Sequence, residues 1–163
     1  MRSTRLIALG VLGLSVALGA ESPHYKPGRA PICAINTATG TATCSSGAVT
    51  GLGNEDIRIT VSFGATADTF CHNPGNSLIV PGQNPTGVVA SASITISGDQ
   101  VKNGNVTIPA ISATAIVPVP SAAGAGCPNG NWTVTLGPVV YGPGSYVFEQ
   151  PPGTVIPSLS FAF

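Results

Sequence analysis

The chain has 163 residues, only 7 % of them charged, and a formal net charge of zero. Beyond residue 20 it carries Lys26, Arg29, Arg58 and Lys102 against Glu21, Glu55, Asp56, Asp68, Asp99 and Glu149, a formal charge of −2 with no basic stripe. That balance argues against nucleic acid and anionic lipid as partners. The 21 glycines and 15 prolines, set among Thr, Ser and Asn, argue against long helices.

Residues 1–20 read as a signal peptide. Arg2 and Arg5 precede an apolar run over residues 6–18, and Ala20 offers a small residue at the cleavage point. The run is short for a membrane span and no second one follows, so no membrane anchor is expected. The mature protein is expected to be secreted and extracellular, in a compartment that permits disulfides. Residues 21–31 hold three prolines and a glycine and read as an extended arm.

A single domain is expected over residues 32–163. Residues 32–35 form a short strand, residues 36–40 a turn, and residues 41–45 the returning strand. Residues 57–63 alternate cleanly, with Ile57, Ile59, Val61 and Phe63 on one face and Arg58, Thr60 and Ser62 on the other. Residues 66–72 continue or partner that strand. A turn-rich segment covers residues 73–85. Val88, Ala90, Ala92, Ile94 and Ile96 share a face of the next strand, and Asn103-Gly104 marks a hairpin turn. Residues 106–108 and 113–117 are short strands, and residues 118–130 a second long loop. Three further stretches, 131–136, 139–141 and 145–149, precede a Pro-Pro-Gly turn and an apolar C-terminus. Many short strands without a helical period predict an all-β fold: an antiparallel, immunoglobulin-like β-sandwich stabilised by disulfides.

Four cysteines allow three pairings. Cys33 and Cys44 flank the first hairpin symmetrically and are expected to bridge its strands. Cys71 and Cys127 open loops of similar signature, Cys71-His72-Asn73-Pro74 and Cys127-Pro128-Asn129, and are expected to tie the two long loops together. The competing zinc reading lacks a C-x-x-C unit.

Candidate sites are few. His24 and His72 are the only histidines, and each reads as a solvated or loop residue before it reads as a metal ligand. Glu55 and Asp56 are adjacent at a strand start, so they point to opposite faces and make a poor glycosidase pair. With Asn54 they could hold calcium, but no EF-hand pattern supports it. There is no Gly-x-Ser-x-Gly elbow and no phosphate-cradling loop. No cofactor and no metal is expected. Asn105 and Asn131 head sequons, Asn105-Val106-Thr107 and Asn131-Trp132-Thr133. Trp132 reads as a core residue or, alternatively, as a sugar-stacking platform.

Several phrases together resemble an uncharacterised family of small secreted β-sandwich proteins of fungi and actinobacteria. They are Gly51-Leu52-Gly53-Asn54-Glu55-Asp56, Cys71-His72-Asn73-Pro74-Gly75, Pro81-Gly82-Gln83-Asn84-Pro85, Lys102-Asn103-Gly104-Asn105, Cys127-Pro128-Asn129 with Asn131-Trp132-Thr133, and Gln150-Pro151-Pro152-Gly153-Thr154. The resemblance implies secretion and supports the Cys71–Cys127 pairing. It supplies no catalytic residues.

The functional expectation is a non-enzymatic, monomeric secreted protein acting at a cell wall or host surface. Its partner would be a wall polysaccharide or a surface protein. The loops beside the second disulfide, with Asn73, Gln83 and Asn129, form the candidate binding surface. The alternative is a carbohydrate-binding module for a neutral glycan, which requires Tyr141, Tyr146 or Trp132 exposed in a row. A small secreted enzyme is the third reading.

Overall fold

The computed structural model describes residues 22–163. The expected leader lies outside the described residues. Residues 22–163 form a disulfide-stabilised antiparallel β-sandwich, with no α-helix among them.

The first layer is built on β5 (Ile57–His72), sixteen residues whose burial alternates without a break. Ile57, Ile59, Val61, Phe63, Ala65, Ala67, Thr69 and Cys71 face the core. Period-two burial of β-branched and aromatic residues fixes the register, because a one-residue slip would put all of them in water. One edge of β5 is shared by β6 (Ile79–Pro81) and β7 (Thr86–Ile96). Ile96, Ile94, Ala92, Ala90 and Val88 stand opposite Ile57, Ile59, Val61, Phe63 and Ala65, the face expected from sequence.

The other edge of β5 carries β10 (Thr133–Glu149), with β11 (Phe161–Ala162) beyond it. The three stretches read separately in sequence are one strand interrupted twice. Leu136 opposes Thr69 and Val139 opposes Ala67; Tyr141 opposes Ala65 and Gly144 opposes Phe63. Each step inserts one extra residue, at Gly137-Pro138 and at Gly142-Pro143. These are β-bulges, where a proline without an N–H and a glycine without a side chain are tolerated.

The second layer is a ribbon broken in the middle. β3 (Thr41–Cys44) pairs with β9 (Ile111–Thr114), and β4 (Gly47–Thr50) pairs with β8 (Val106–Ile108). Cys44 opposite Ile111 and Gly47 opposite Ile108 belong to the same register, interrupted by exposed Ser45-Ser46 against exposed Pro109-Ala110. Pro109 cannot donate to a ladder, which accounts for the break. β2 (Cys33–Asn36) flanks β3, and β1 (His24–Tyr25) flanks β4. The β2–β3 turn closes through the Asn36 side chain, which accepts the Ala38 and Thr39 N–H groups, and through Gly40 at φ +65°.

Within residues 22–31 only His24–Tyr25 is a strand, Lys26–Arg29 closes a turn, and the segment is docked on the sandwich. The Tyr25 hydroxyl donates to the Leu159 carbonyl at 2.6 Å, and Ser158 Oγ donates to the Pro23 carbonyl at 2.8 Å. Burial pushes the Tyr25 pKa up to about 12. Tyr146 is buried beneath this contact, its ring stacked on Phe161 at 4.9 Å and 11°. Burial raises its pKa as well.

Two disulfides join Cys33 to Cys44 and Cys71 to Cys127, the pairing expected from sequence. They enclose 11- and 56-residue separations. On a chain-entropy model they contribute about 3 and about 4 kcal/mol.

The outer faces are nearly uncharged. In the first layer Thr60 meets Ser93 at 2.8 Å and Ser62 meets Ser145 at 2.9 Å; in the second, Thr41 meets Thr114 and Thr43 meets Ser112, both at 3.0 Å. These cross-strand hydroxyl pairs stand where many proteins place charges. Arg58 and Glu149 make the only ion pair among the described residues. The guanidinium grips both carboxylate oxygens, with Arg58 Nη2 donating to Glu149 Oε1 at 3.0 Å.

Candidate functional site

The second disulfide sits where β5 ends, and it gathers the two long loops at that end of the sandwich. Cys71 is fully buried, and Cys127 reaches it with a Cα separation of 5.7 Å. The loops also interlock through the backbone. The Gln83 and Asn84 N–H groups both donate to the Ala125 carbonyl, at 2.9 and 3.2 Å. Asn84 Nδ2 donates to the Gly124 carbonyl at 3.0 Å, and buried Thr69 Oγ1 donates to the Asn84 carbonyl at 2.9 Å. Gly82 is needed for this approach: a Cβ there would lie 2.0 Å from Thr69 Oγ1 and 2.9 Å from the Ala125 oxygen.

All three candidate loop residues belong to this end. Asn73 follows Cys71 by two positions and Asn129 follows Cys127 by two, while Gln83 Cβ packs against Gly126. The Asn73 and Asn129 carboxamides behave alike. Each commits its oxygen to its own turn, accepting the Gly75 N–H at 2.8 Å and the Asn131 N–H at 3.0 Å. Neither amide nitrogen has a hydrogen-bond partner among the described residues. Gln83 and Asn129 are exposed and Asn73 is half-buried.

Trp132 lies outside the core. It is half-buried, precedes β10 rather than sitting in it, and its backbone N–H reaches the Asn129 carbonyl at 3.5 Å. The core reading of this residue is thus corrected. The strand begins one residue later, and Trp132 shares the phase of half-buried Val134 where the sheet has run past the core cluster. The Thr133–His72 pairing sets it next to the disulfide, in line with Asn73. Asn131, the head of one sequon, is exposed beside it. The tyrosines do not extend a row from it: Tyr146 is 1 % exposed and Tyr141 is half-buried against Phe63.

The remaining candidates are dispersed. His24 is on β1, its Nδ1 2.8 Å from the Ser22 carbonyl, whereas His72 Nε2 is 2.7 Å from Thr135 Oγ1 at the loop end. Of the carboxylate pair, the Asp56 side chain and the Glu55 backbone are tied into the fold. Asp56 accepts the Gly98 N–H at 2.8 Å, and the Glu55 carbonyl accepts from Gln150 Nε2 at 2.9 Å. The Asn54 carbonyl packs so closely on Gly98 that a Cβ there would lie 2.0 Å from it. No group of three His, Cys, Asp or Glu side chains converges among the described residues. The other sequon residue, Asn105, is half-buried and donates to the Asn103 carbonyl at 2.7 Å.

Sequence reasoning missed Asn84 and Thr69, which lock the loops together. Pro81-Gly82 and Asn84-Pro85 signalled turns, but nothing local marked Gly124, 40 residues from Asn84, or Ala125 beside it as their partners. No protein-family model, curated protein or solved structure matches this chain.

Proposed function

We propose that the protein is exported and acts outside the cell as a non-enzymatic binding module for a neutral polysaccharide, such as one of a cell wall. The single observation that carries this reading is the position of Trp132. The only tryptophan is half-buried outside the core cluster, in line with Asn73 on a loop end locked by a disulfide. An aromatic face for a sugar ring, flanked by uncharged hydrogen-bond donors, is the chemistry that recognises a neutral glycan. A pre-organised loop end also lowers the entropy lost on binding. The apolar leader, the two disulfides and the resemblance to small secreted proteins support export.

The test is co-sedimentation of the secreted chain with insoluble cellulose, chitin, β-1,3-glucan and xylan. At least one is expected to retain it, and Trp132→Ala is expected to weaken that binding about tenfold. The triple change Asn73→Ala, Gln83→Ala, Asn129→Ala is expected to weaken it similarly. Retention by none of the four, or full retention of the Trp132 variant, overturns the reading.

A further inference from the structure

The described residues contain only four cations, and three of them meet at one place. Arg58 is tied to Glu149 on the outer face of the first layer. Lys26, Arg29 and Lys102 all line a pair of adjoining clefts on the β1–β4–β8 sheet. The first, of about 300 Å³, runs between Lys26 and Arg29 over Ser46, Gly47 and Ala48. The second, of about 250 Å³, runs between Lys26 and Lys102 past Gln100 and Asn105. Lys26 and Thr107 belong to both, so the two form one elongated groove.

The sheet geometry explains the groove. Ala48 opposes Thr107, and the Lys26 N–H donates to the Ala48 carbonyl at 2.9 Å, so three neighbouring strands put Lys26, Ala48 and Thr107 side by side. Their neighbours Val49, Val106 and Ile108 turn inward to the core. Alternation therefore sends the cation and the hydroxyl outward, and the small Ala48 leaves a floor between them. Arg29 is brought over the end of β4 by backbone bonds of its own: its N–H donates to the Lys26 carbonyl at 2.9 Å, and its carbonyl accepts the Ala48 N–H at 3.0 Å. Lys102 is held in a tight turn closed by reciprocal 2.9 Å bonds with Asn105. No carboxylate among the described residues forms an ion pair with any of the three.

We infer that this groove binds an anionic polysaccharide, a saccharide chain with ionised groups spaced along it. Cations at both ends and the centre would meet successive anionic groups. Arg29 suits the planar or tetrahedral oxygens of a carboxylate or sulfate. Ser46, Thr107, Gln100 and Asn105 supply hydroxyl and amide partners for the sugar between them. No aromatic side chain lines either cleft, so the base-stacking platform of a single-strand nucleic-acid site is missing. The inference stands apart from the loop-end reading. The groove adjoins the Ile57 end of β5, and Trp132 the His72 end, sixteen residues or about 50 Å along the strand.

The experiment uses the secreted chain made without glycosylation, because a glycan on Asn105 would cover the groove. Binding is measured to polygalacturonate, dextran sulfate, neutral dextran and oligo-dT. One or both anionic polysaccharides are expected to bind, with dextran at background; the two separate a carboxylate from a sulfate preference. Raising the salt from about 50 to about 300 mM should weaken binding about tenfold. The triple change Lys26→Gln, Arg29→Gln, Lys102→Gln should weaken it about tenfold or more. Lys102→Gln alone, at an exposed turn, should weaken it measurably without a folding defect. Asp68→Asn shifts the net charge by the same amount in the opposite sense but lies towards the other end of β5, and should change nothing. Trp132→Ala should change nothing either. Background binding to both anionic polymers, unchanged binding by the triple variant, an Asp68→Asn effect as large as that of Lys102→Gln, or tighter binding of oligo-dT each overturns the inference.

Discussion

β5 and β10 are the two longest strands, of sixteen and seventeen residues, and they pair with each other along most of their length. β5 holds one phase from Ile57 to Cys71. β10 changes phase twice: Val134 and Leu136 stand opposite core-facing residues of β5, then Val139 and Tyr141, then Tyr146 and Phe148. A strand pattern in sequence thus reports burial only between bulges. β5 declares its core face in one reading, whereas β10 declares three fragments that become one strand only when Gly137-Pro138 and Gly142-Pro143 are recognised as extra residues. The straight strand supplies the core, and the bulged one bends around it and returns to the same face.

The contrast is most sharply tested at Ile59, fully buried on β5 opposite Phe148. Ile59→Asp buries an unpaired charge and is expected to cost about 4 kcal/mol or more in a denaturant titration. Thr60→Asp, one residue on and facing outward, should cost about 1 kcal/mol at most. Equal effects would mean that β5 does not hold its phase.

A matched pair of glycines gives a smaller effect. At Gly64 on β5 nothing lies within 4 Å of an added Cβ, whereas at Gly144, just past the second bulge, the Cβ would lie 2.3 Å from the Phe163 ring. Gly144→Ala should cost about 1–2 kcal/mol as the ring is displaced, and Gly64→Ala should stay within about 0.5 kcal/mol. Thermal melts of the two variants decide it; indistinguishable melts would show that β10 packs no more tightly past its bulge than β5 does.

The smallest expected effect comes from the one ion pair that joins the two strands on the outer face. Its hydrogen bond with Arg58 holds the Glu149 carboxyl below the usual carboxylate range, against a smaller upward push from burial. The unfolded chain then binds the proton first. The pair's contribution is complete above the ordinary carboxylate pKa and is lost as the pH falls through the lowered one. Stability of the parent chain should decline on acidification through that window, and Glu149→Gln should flatten the decline. An unaltered acid limb would show that the pair adds nothing to the pairing of β5 with β10.

Much of the fold was legible in sequence, for local reasons. The β5 face, the β7 face and the first hairpin arise from alternation and turn chemistry between neighbours in the chain. The two disulfides were legible because Cys33 and Cys44 bracket a hairpin, and because Cys71 and Cys127 open similar loops. The illegible parts depend on distant partners. The hold of Asn84 on Gly124, the docking of the arm through Tyr25 on Leu159, and the exclusion of Trp132 from the core cluster have no local signature. The cationic groove is the clearest case. Beyond residue 20 the sequence shows four scattered cations and no basic stripe, and only the pairing of β1, β4 and β8 brings three of them together.

The hydroxyl pairs on the outer faces bear on the conditions in which this fold can work. Ionic strength acts on proteins chiefly by screening charge, and here there is little charge to screen. Ser62 with Ser145 and Thr43 with Ser112 are neutral contacts, and only one ion pair joins the described strands. Fresh, brackish or saline surroundings should therefore leave the scaffold almost equally stable. Dissolved salt would then act on the Lys26–Arg29–Lys102 groove without acting on the fold, so attachment there could be loosened by salinity while the molecule stays intact.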